Sequence, residues 1–185
     1  MKQRVFFLSA LVLFLLSKIE VVGQTDSHTI GITIPAVTML RIAPTASKNI
    51  TMDFTAPSTA GDPIVAPTNN TSLYLQYSSI MTAPATGRKI SVQASATVAG
   101  LTIAVTAANP SATNLQGAGG AGSTISSLGT TATDIITGIT SCATGTGSTD
   151  GSNLTYSIAT TSASAYQNIR SGTSSITVTY TLADN

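Results

Sequence analysis

The sequence predicts an all-β fold, an antiparallel β-sandwich of about seven to nine strands. Apolar and polar residues alternate with the two-residue period of a strand in many short segments. Pro, Gly, Asn and Ser separate these segments, and no stretch carries an apolar stripe at helical spacing. Two sheets packed face to face cover the apolar face of every strand, which a single open sheet cannot do. The pattern leaves an up-and-down barrel or a β-solenoid open, although no fixed-period repeat supports a solenoid.

The N-terminal residues have the pattern of a secretory signal peptide. Lys2 and Arg4 precede an apolar run of twelve residues, and small residues follow up to Gly23. This run is shorter than the roughly 18 to 20 apolar residues that a membrane-spanning helix needs. We therefore predict a removed signal peptide over residues 1–23 and a single exported domain over residues 24–185. The expected location is the periplasm, the cell surface or the extracellular space, with no membrane insertion after signal removal.

The strand segments follow one another at short intervals along the mature chain. Ala99 and Gly100 separate two of them so closely that we predict a tight hairpin there. The alternating segments lie at residues 30–34, 50–54, 73–77, 90–96, 101–107, 135–139, 154–158 and 176–182.

Charged residues are rare, which excludes several classes of function. The predicted mature chain has five basic and six acidic residues, whereas Thr and Ser make up about a third of it. This balance gives no electrostatic basis for binding nucleic acid or an anionic membrane. A surface built from hydroxyls and amides can pack against copies of itself without burying unpaired charge, so the composition favours assembly.

The residues that catalysis needs are scattered. The only histidine, His28, lies close to the predicted mature N-terminus, where it has no predicted partner. Asp53 sits in the outward phase of a strand pattern, and Asp62, Asp134 and Asp150 are interpreted as solvated turn residues. A glycosidase would need two of the aspartates to face each other, and their spacing nominates no pair. We predict a non-enzymatic protein without a cofactor, with a hydrolase as the third hypothesis.

Metal and thiol chemistry have one weak candidate each. Residues 150–153 concentrate oxygen atoms in a turn, but they include one carboxylate where calcium prefers several, so we predict an Asx-type turn and no metal site. Residues 117–122 are rich in glycine yet lack the Lys-Ser/Thr that completes a phosphate-binding loop. Cys142 is the only cysteine, so no intramolecular disulfide can form. A buried inert thiol is the favoured interpretation of Cys142, and an intermolecular disulfide is the alternative.

Carbohydrate binding requires exposed aromatic rings. Tyr77, Tyr156 and Tyr180 fall in the apolar phase of their strands and are predicted core residues. Tyr74 and Tyr166 remain as a candidate glycan platform. A carbohydrate-binding module is therefore the alternative function.

Three stretches carry a resemblance to known proteins. They are Thr-Gly-Ile-Thr-Ser-Cys at 137–142, Asn-Leu-Thr-Tyr at 153–156, and Ile-Thr-Val-Thr-Tyr-Thr-Leu at 176–182. With the signal peptide, they make the chain resemble small exported proteins of Bacteroidetes-type bacteria and, more distantly, fimbrial or spore-coat-type subunits. The resemblance implies an immunoglobulin-like sandwich with a surface or filament role. Fimbrial subunits often carry a disulfide pair, which this chain lacks.

The leading hypothesis is an exported structural or adhesive β-sandwich, a fimbria-like subunit whose partners are copies of itself or other surface proteins. A free strand of one such subunit can complete the sheet of the next by main-chain pairing and by placing apolar side chains in pockets. Residues 29–34 are the candidate donor strand, with Ile30, Ile32 and Ile34 as its pocket residues. The favoured interpretation of this segment is nevertheless the domain's own first strand.

Overall fold

The structure is a computed structural model that describes residues 23–82 and 86–185. The predicted signal peptide lies outside the described residues except for Gly23. The chain divides into two units, Met1–Thr33 and Ile34–Asn185, and every assigned strand lies in the second unit. No helix in the described parts of the chain is long and apolar enough to span a membrane.

The described residues form eleven strands and two short 3-10 helices, at Thr45–Ser47 and Ser164–Asn168. Seven of the strands have seven or more residues and four have only two. In chain order the strands are β1 (Val37–Ala43), β2 (Asn70–Ile80), β3 (Arg88–Ala94), β4 (Leu101–Ala107), β5 (Gln116–Gly117), β6 (Ala121–Gly122), β7 (Thr124–Ile125), β8 (Thr133–Ile139), β9 (Cys142–Ala143), β10 (Ser152–Thr160) and β11 (Val178–Asp184).

The strands form two antiparallel sheets. The seven-stranded sheet has the order β5-β9-β2-β10-β4-β7, with β1 paired to the other edge of β2. The four-stranded sheet has the order β11-β3-β8-β6. Every strand pair is antiparallel, which confirms the predicted all-β, sandwich-like fold class.

The core lies between the inner faces of the two sheets, as the alternating pattern requires. Leu75 and Leu154 of the seven-stranded sheet and Ile90 and Val92 of the four-stranded sheet are fully buried. A register shift between β3 and β8 accompanies the burial of two consecutive residues, Ile135 and Ile136. The rest of the core consists of Leu73, Tyr77, Ala94, Val105, Ala107, Leu128, Ile139, Cys142 and Tyr156.

The predicted hairpin at Ala99-Gly100 is wrong. Strands β3 and β4, which flank this turn, belong to different sheets, and β3 pairs with β8 and β11 instead. Gly100 has a φ of 80°. A Cβ added to it would approach the main chain of Ala165 at 2.8 Å, so the turn packs closely against the second 3-10 helix. The chain therefore crosses between the sheets at this point.

Two other predicted strands do not form ladders. Residues 23–36 belong to no helix or strand, so the interpretation of 29–34 as the first strand is wrong. The first strand is β1, which the sequence analysis missed. Ile50 and Met52 pack half-buried against the core, but residues 50–54 join no ladder and Thr55 makes only an isolated bridge to Val65. Asp53 is exposed, as predicted.

Candidate functional site

The two lateral sides of the sandwich differ, and one of them is closed by main chain. Residues 121–125 run from β6, paired with β8 in one sheet, to β7, paired with β4 in the other. Between them the N–H of Ser123 donates to the carbonyl of Ile135 at 2.8 Å, and the carbonyl of Ser123 accepts from the N–H of Ala107 at 2.9 Å. Gly122 permits this crossing, since an added Cβ would collide with the Ala107 carbonyl. This side of the sandwich is hydrogen-bonded from sheet to sheet.

The opposite side is formed by two long edge strands, β1 and β11, which approach each other. Each has seven residues, whereas the edge strands on the closed side have two. We call this side the open seam, defined by β1 and β11. Long unpaired edges are uncommon in isolated sandwiches because their free N–H and C=O groups can pair with another chain.

The hydrogen-bond phase of β11 identifies its free main-chain groups. Ser95 N–H donates to the carbonyl of Thr177 at 2.8 Å, and Asn185 N–H donates to the carbonyl of Gly87 at 3.1 Å. In an antiparallel ladder every second residue directs its N–H and C=O groups away from the partner strand, and the residues in phase with Thr177 and Asn185 face β3. The groups that point outward from β3 therefore belong to Val178, Tyr180, Leu182 and Asp184. No main-chain partner for them occurs in the described part of the chain.

The side chains at the open seam are apolar and incompletely covered. Val178, Tyr180 and Leu182 of β11 pack against the core, as do Leu40 and Ile42 of β1, and all five are only half-buried. The sequence of β11 is uncharged up to its last residue, Asp184. The open seam therefore joins free backbone groups to apolar surface, which is the combination that strand addition uses.

A buried arginine ties the two sheets together at one end of the open seam. Arg88 of β3 is 6% exposed. Its Nε donates to Asp184 Oδ1 at 2.6 Å, and its Nη1 donates to the carbonyl of Val37 and to Ser79 Oγ. Val37 and Ser79 belong to β1 and β2, so the guanidinium connects the four-stranded sheet to the seven-stranded one. No sequence motif marks Arg88 for this role.

Tyrosine hydroxyls form several of the polar contacts inside the core. Tyr156 of β10 and Tyr180 of β11 join the two sheets through a hydrogen bond of 2.6 Å between their hydroxyls. Burial raises the pKa of both phenols. Burial also raises the pKa of Tyr77 to about 12, and this hydroxyl donates to the carbonyl of Gly119 at 2.6 Å. Tyr77 and Tyr156 are buried as predicted, and Tyr180 is half-buried against the core.

The N-terminal segment of the described chain, residues 24–36, exposes its isoleucines. Ile30, Ile32 and Ile34 are 71%, 80% and 74% exposed, although their spacing is that of one apolar strand face. Large aliphatic side chains normally lose most of this exposure in a folded chain. His28 lies in the same segment and is exposed.

The structure places the two tyrosines of the candidate glycan platform on different elements. Tyr74 is half-buried on β2, in the phase opposite to the core residues Leu73 and Leu75. Tyr166 belongs to the second 3-10 helix and is 38% exposed. Its hydroxyl accepts a hydrogen bond of 3.1 Å from the N–H of Ile64, so it also anchors the loop before β2. Carbohydrate binding stays a prediction.

Asp150 is not a solvated turn residue, which corrects the sequence interpretation. It is 5% exposed, and its carboxylate accepts hydrogen bonds from Asn114 Nδ2 at 2.9 and 3.1 Å and from the N–H of Gly147 at 2.6 Å. These donors stabilise the charged carboxylate and so lower the pKa of Asp150, and the Asn114 amide has the largest effect. Buried Gln76 donates to the carbonyl of Asp150 at 3.1 Å and so fixes the same loop on β2. The carboxylate thus has an architectural role in the turn.

The remaining titratable groups do not gather into a reactive centre within the described residues. No group of three or more His, Cys, Asp or Glu that could hold a metal occurs there. A polar cleft of about 500 Å³ lies between residues 51–55 and 65–70, and Asp53 is the only carboxylate that lines it. Cys142 is 5% exposed, and burial raises the pKa of its thiol, in agreement with a buried inert thiol. Asp134 is exposed as predicted but lies on strand β8 rather than in a turn, and its carboxylate pairs with Lys89 at 2.9 Å.

Comparison with protein-family models, with curated proteins and with solved structures gives no significant match.

Proposed function

We propose that the chain is an exported, non-enzymatic structural subunit that assembles with copies of itself at the cell surface. In this proposal residues 29–34 of one copy add a strand to another copy. The observation that carries it is the exposure of Ile30, Ile32 and Ile34, at 71%, 80% and 74%, on a segment with strand periodicity and no strand partner among the described residues.

Two further features support assembly. The open seam combines unpaired edge groups with half-buried apolar side chains, as a strand-accepting surface requires. The outward positions of β11 are Thr179, Thr181 and Ala183, so neighbouring copies can approach this strand without burying unpaired charge.

The proposal predicts that assembly depends on the N-terminal segment. Deleting residues 24–34 from the mature chain is expected to convert multimers into monomers, because the apolar donor is removed while the complete core is retained. Light scattering coupled to size exclusion measures the molar mass of chains 24–185 and 35–185 across a concentration series.

Far-UV circular dichroism of chain 35–185 serves as the control, and an unchanged β-sheet spectrum shows that the deletion acts on assembly rather than folding. A chain 24–185 that stays monomeric throughout the concentration series contradicts the proposal.

A further inference from the structure

We propose that the acceptor is the outer edge of β11, and that it pairs with residues 29–34 of a second copy. This inference rests on the proposed function and goes beyond it by choosing one of the two strands of the open seam. The proposed strand places Ile30, Ile32 and Ile34 on the inner face of the sandwich, opposite the half-buried Leu40 and Ile42 of β1.

The main-chain groups of β11 match what an added strand needs. The N–H and C=O groups that point away from β3 include those of Val178, Tyr180 and Leu182. This phase follows because Thr177 and Asn185 form their main-chain bonds with Ser95 and Gly87, at the two ends of β3. Strand β11 has seven residues of extended edge, one more than the six of the donor segment. An added strand of six residues can therefore form an uninterrupted ladder.

Sheet width favours β11 over β1. Where β10 pairs with β2, the larger sheet is five strands wide, in the order β1-β2-β10-β4-β7, whereas the smaller sheet has four strands. A strand added to β11 makes the two sheets equal, so its inward isoleucines face apolar side chains of the larger sheet. A strand added to β1 would make the larger sheet six strands wide against four. The isoleucines of the added strand would then have no opposing strand in the smaller sheet.

Charge and local contacts favour the same edge. Residues 178–183 carry no charged side chain, and neither do residues 29–34. Strand β1 instead contains Arg41, whose Nε donates to Gln76 Oε1 at 2.7 Å, and its Val37 carbonyl already accepts from Arg88. Pairing at β11 therefore buries no charge and displaces no existing hydrogen bond.

Directed disulfide cross-linking of full mature chains tests the choice of edge. One population carries Gly31→Cys, since an added Cβ at Gly31 meets no atom within 4 Å. The second population carries an affinity tag and either Thr181→Cys, in the outward phase of β11, or Met39→Cys, in the exposed phase of β1. Each site lies near the centre of its strand, so the comparison holds for parallel and antiparallel addition. Cys142 stays in place as a buried thiol.

After mixing and mild oxidation, we expect about tenfold more tagged heterodimer with Thr181→Cys than with Met39→Cys, because cysteines whose Cα atoms are more than about 7 Å apart cannot be bridged. Preferential linking to Met39→Cys overturns the assignment to β11 and leaves the proposed function intact. A doubly substituted chain, Gly31→Cys with Thr181→Cys, that links only within one molecule also overturns it. Mature chains that show no association by light scattering overturn the proposed function itself.

Discussion

Replacing Arg88 with alanine is expected to lower the free energy of unfolding by about 3 kcal/mol, because a buried, multiply hydrogen-bonded charge is lost. The guanidinium is buried, and it contacts Asp184, the Val37 carbonyl and Ser79. The alanine variant leaves the carbonyl and the hydroxyl without their donor at the end of the open seam. Urea unfolding followed by far-UV circular dichroism measures the change.

The neighbouring residue provides a matched control. Lys89 lies on the same strand and also pairs with an aspartate, Asp134, at 2.9 Å, but its side chain is 36% exposed. Lys89→Ala is expected to cost about 0.5 kcal/mol or less, since solvent screens exposed ion pairs. Equal losses in Arg88→Ala and Lys89→Ala would contradict the sheet-connecting role of Arg88.

The double substitution Ile30→Asp with Ile32→Asp is expected to lower the association constant of chain 24–185 at least about tenfold, because two carboxylates would enter an apolar seam. Both side chains are exposed in the single chain, at 71% and 80%, so the substitutions leave the core untouched. Sedimentation equilibrium over a concentration series gives the association constant directly.

The alternating pattern supplies the control for this prediction. Thr29→Asp with Thr33→Asp adds the same charge to the same segment, but in the phase that faces away from the proposed seam. Both threonines are exposed. We expect the association constant to stay close to that of the unsubstituted chain at about 0.15 M salt, because salt screens exposed charges. A loss of association equal to that of the isoleucine variant would indicate a general charge effect and contradict strand addition.

The fold class was predictable because alternation is a local property that the sandwich preserves. Strands β2, β3, β4, β8, β10 and β11 overlap the predicted alternating segments. The topology was not predictable in the same way, as the region around Gly100 shows. A Gly turn between two alternating segments fits a hairpin and a crossing between sheets equally well, and only long-range pairing of β3 with β8 and β11 decides between them.

The missed strand and the overpredicted one have related causes. Residues 30–34 alternate regularly but have no strand partner in the described chain, whereas β1 has a partner and a less regular pattern that includes Arg41. Periodicity reports which face of a segment can be buried, not whether a partner strand is available within the same chain. The proposed assembly would supply the strand partner that residues 30–34 lack within the described chain.

The candidate site was partly predictable for the same reason. The isoleucine pattern identified residues 29–34 as a candidate donor from sequence alone. The acceptor depends on which strands lie at the edges and on the crossing at residues 121–125. This crossing uses two strands of two residues each, which are too short to show an alternating pattern in the sequence. Burial of Asp150 likewise depends on Asn114 and Gln76, both distant in the chain.

The central claim is that the N-terminal segment of one copy completes the sandwich of another, and the most direct measurement is a binding titration with a synthetic peptide. A peptide of residues 24–36 is added to chain 37–185, which contains every strand and core residue assigned among the described residues. The midpoint of thermal unfolding is recorded. If strand addition occurs, the midpoint rises with peptide concentration, because a ligand of the folded state stabilises it. A peptide carrying Ile30→Asp and Ile32→Asp then gives no rise. A midpoint unchanged by the native peptide, at concentrations where the mature chain associates, would contradict strand addition.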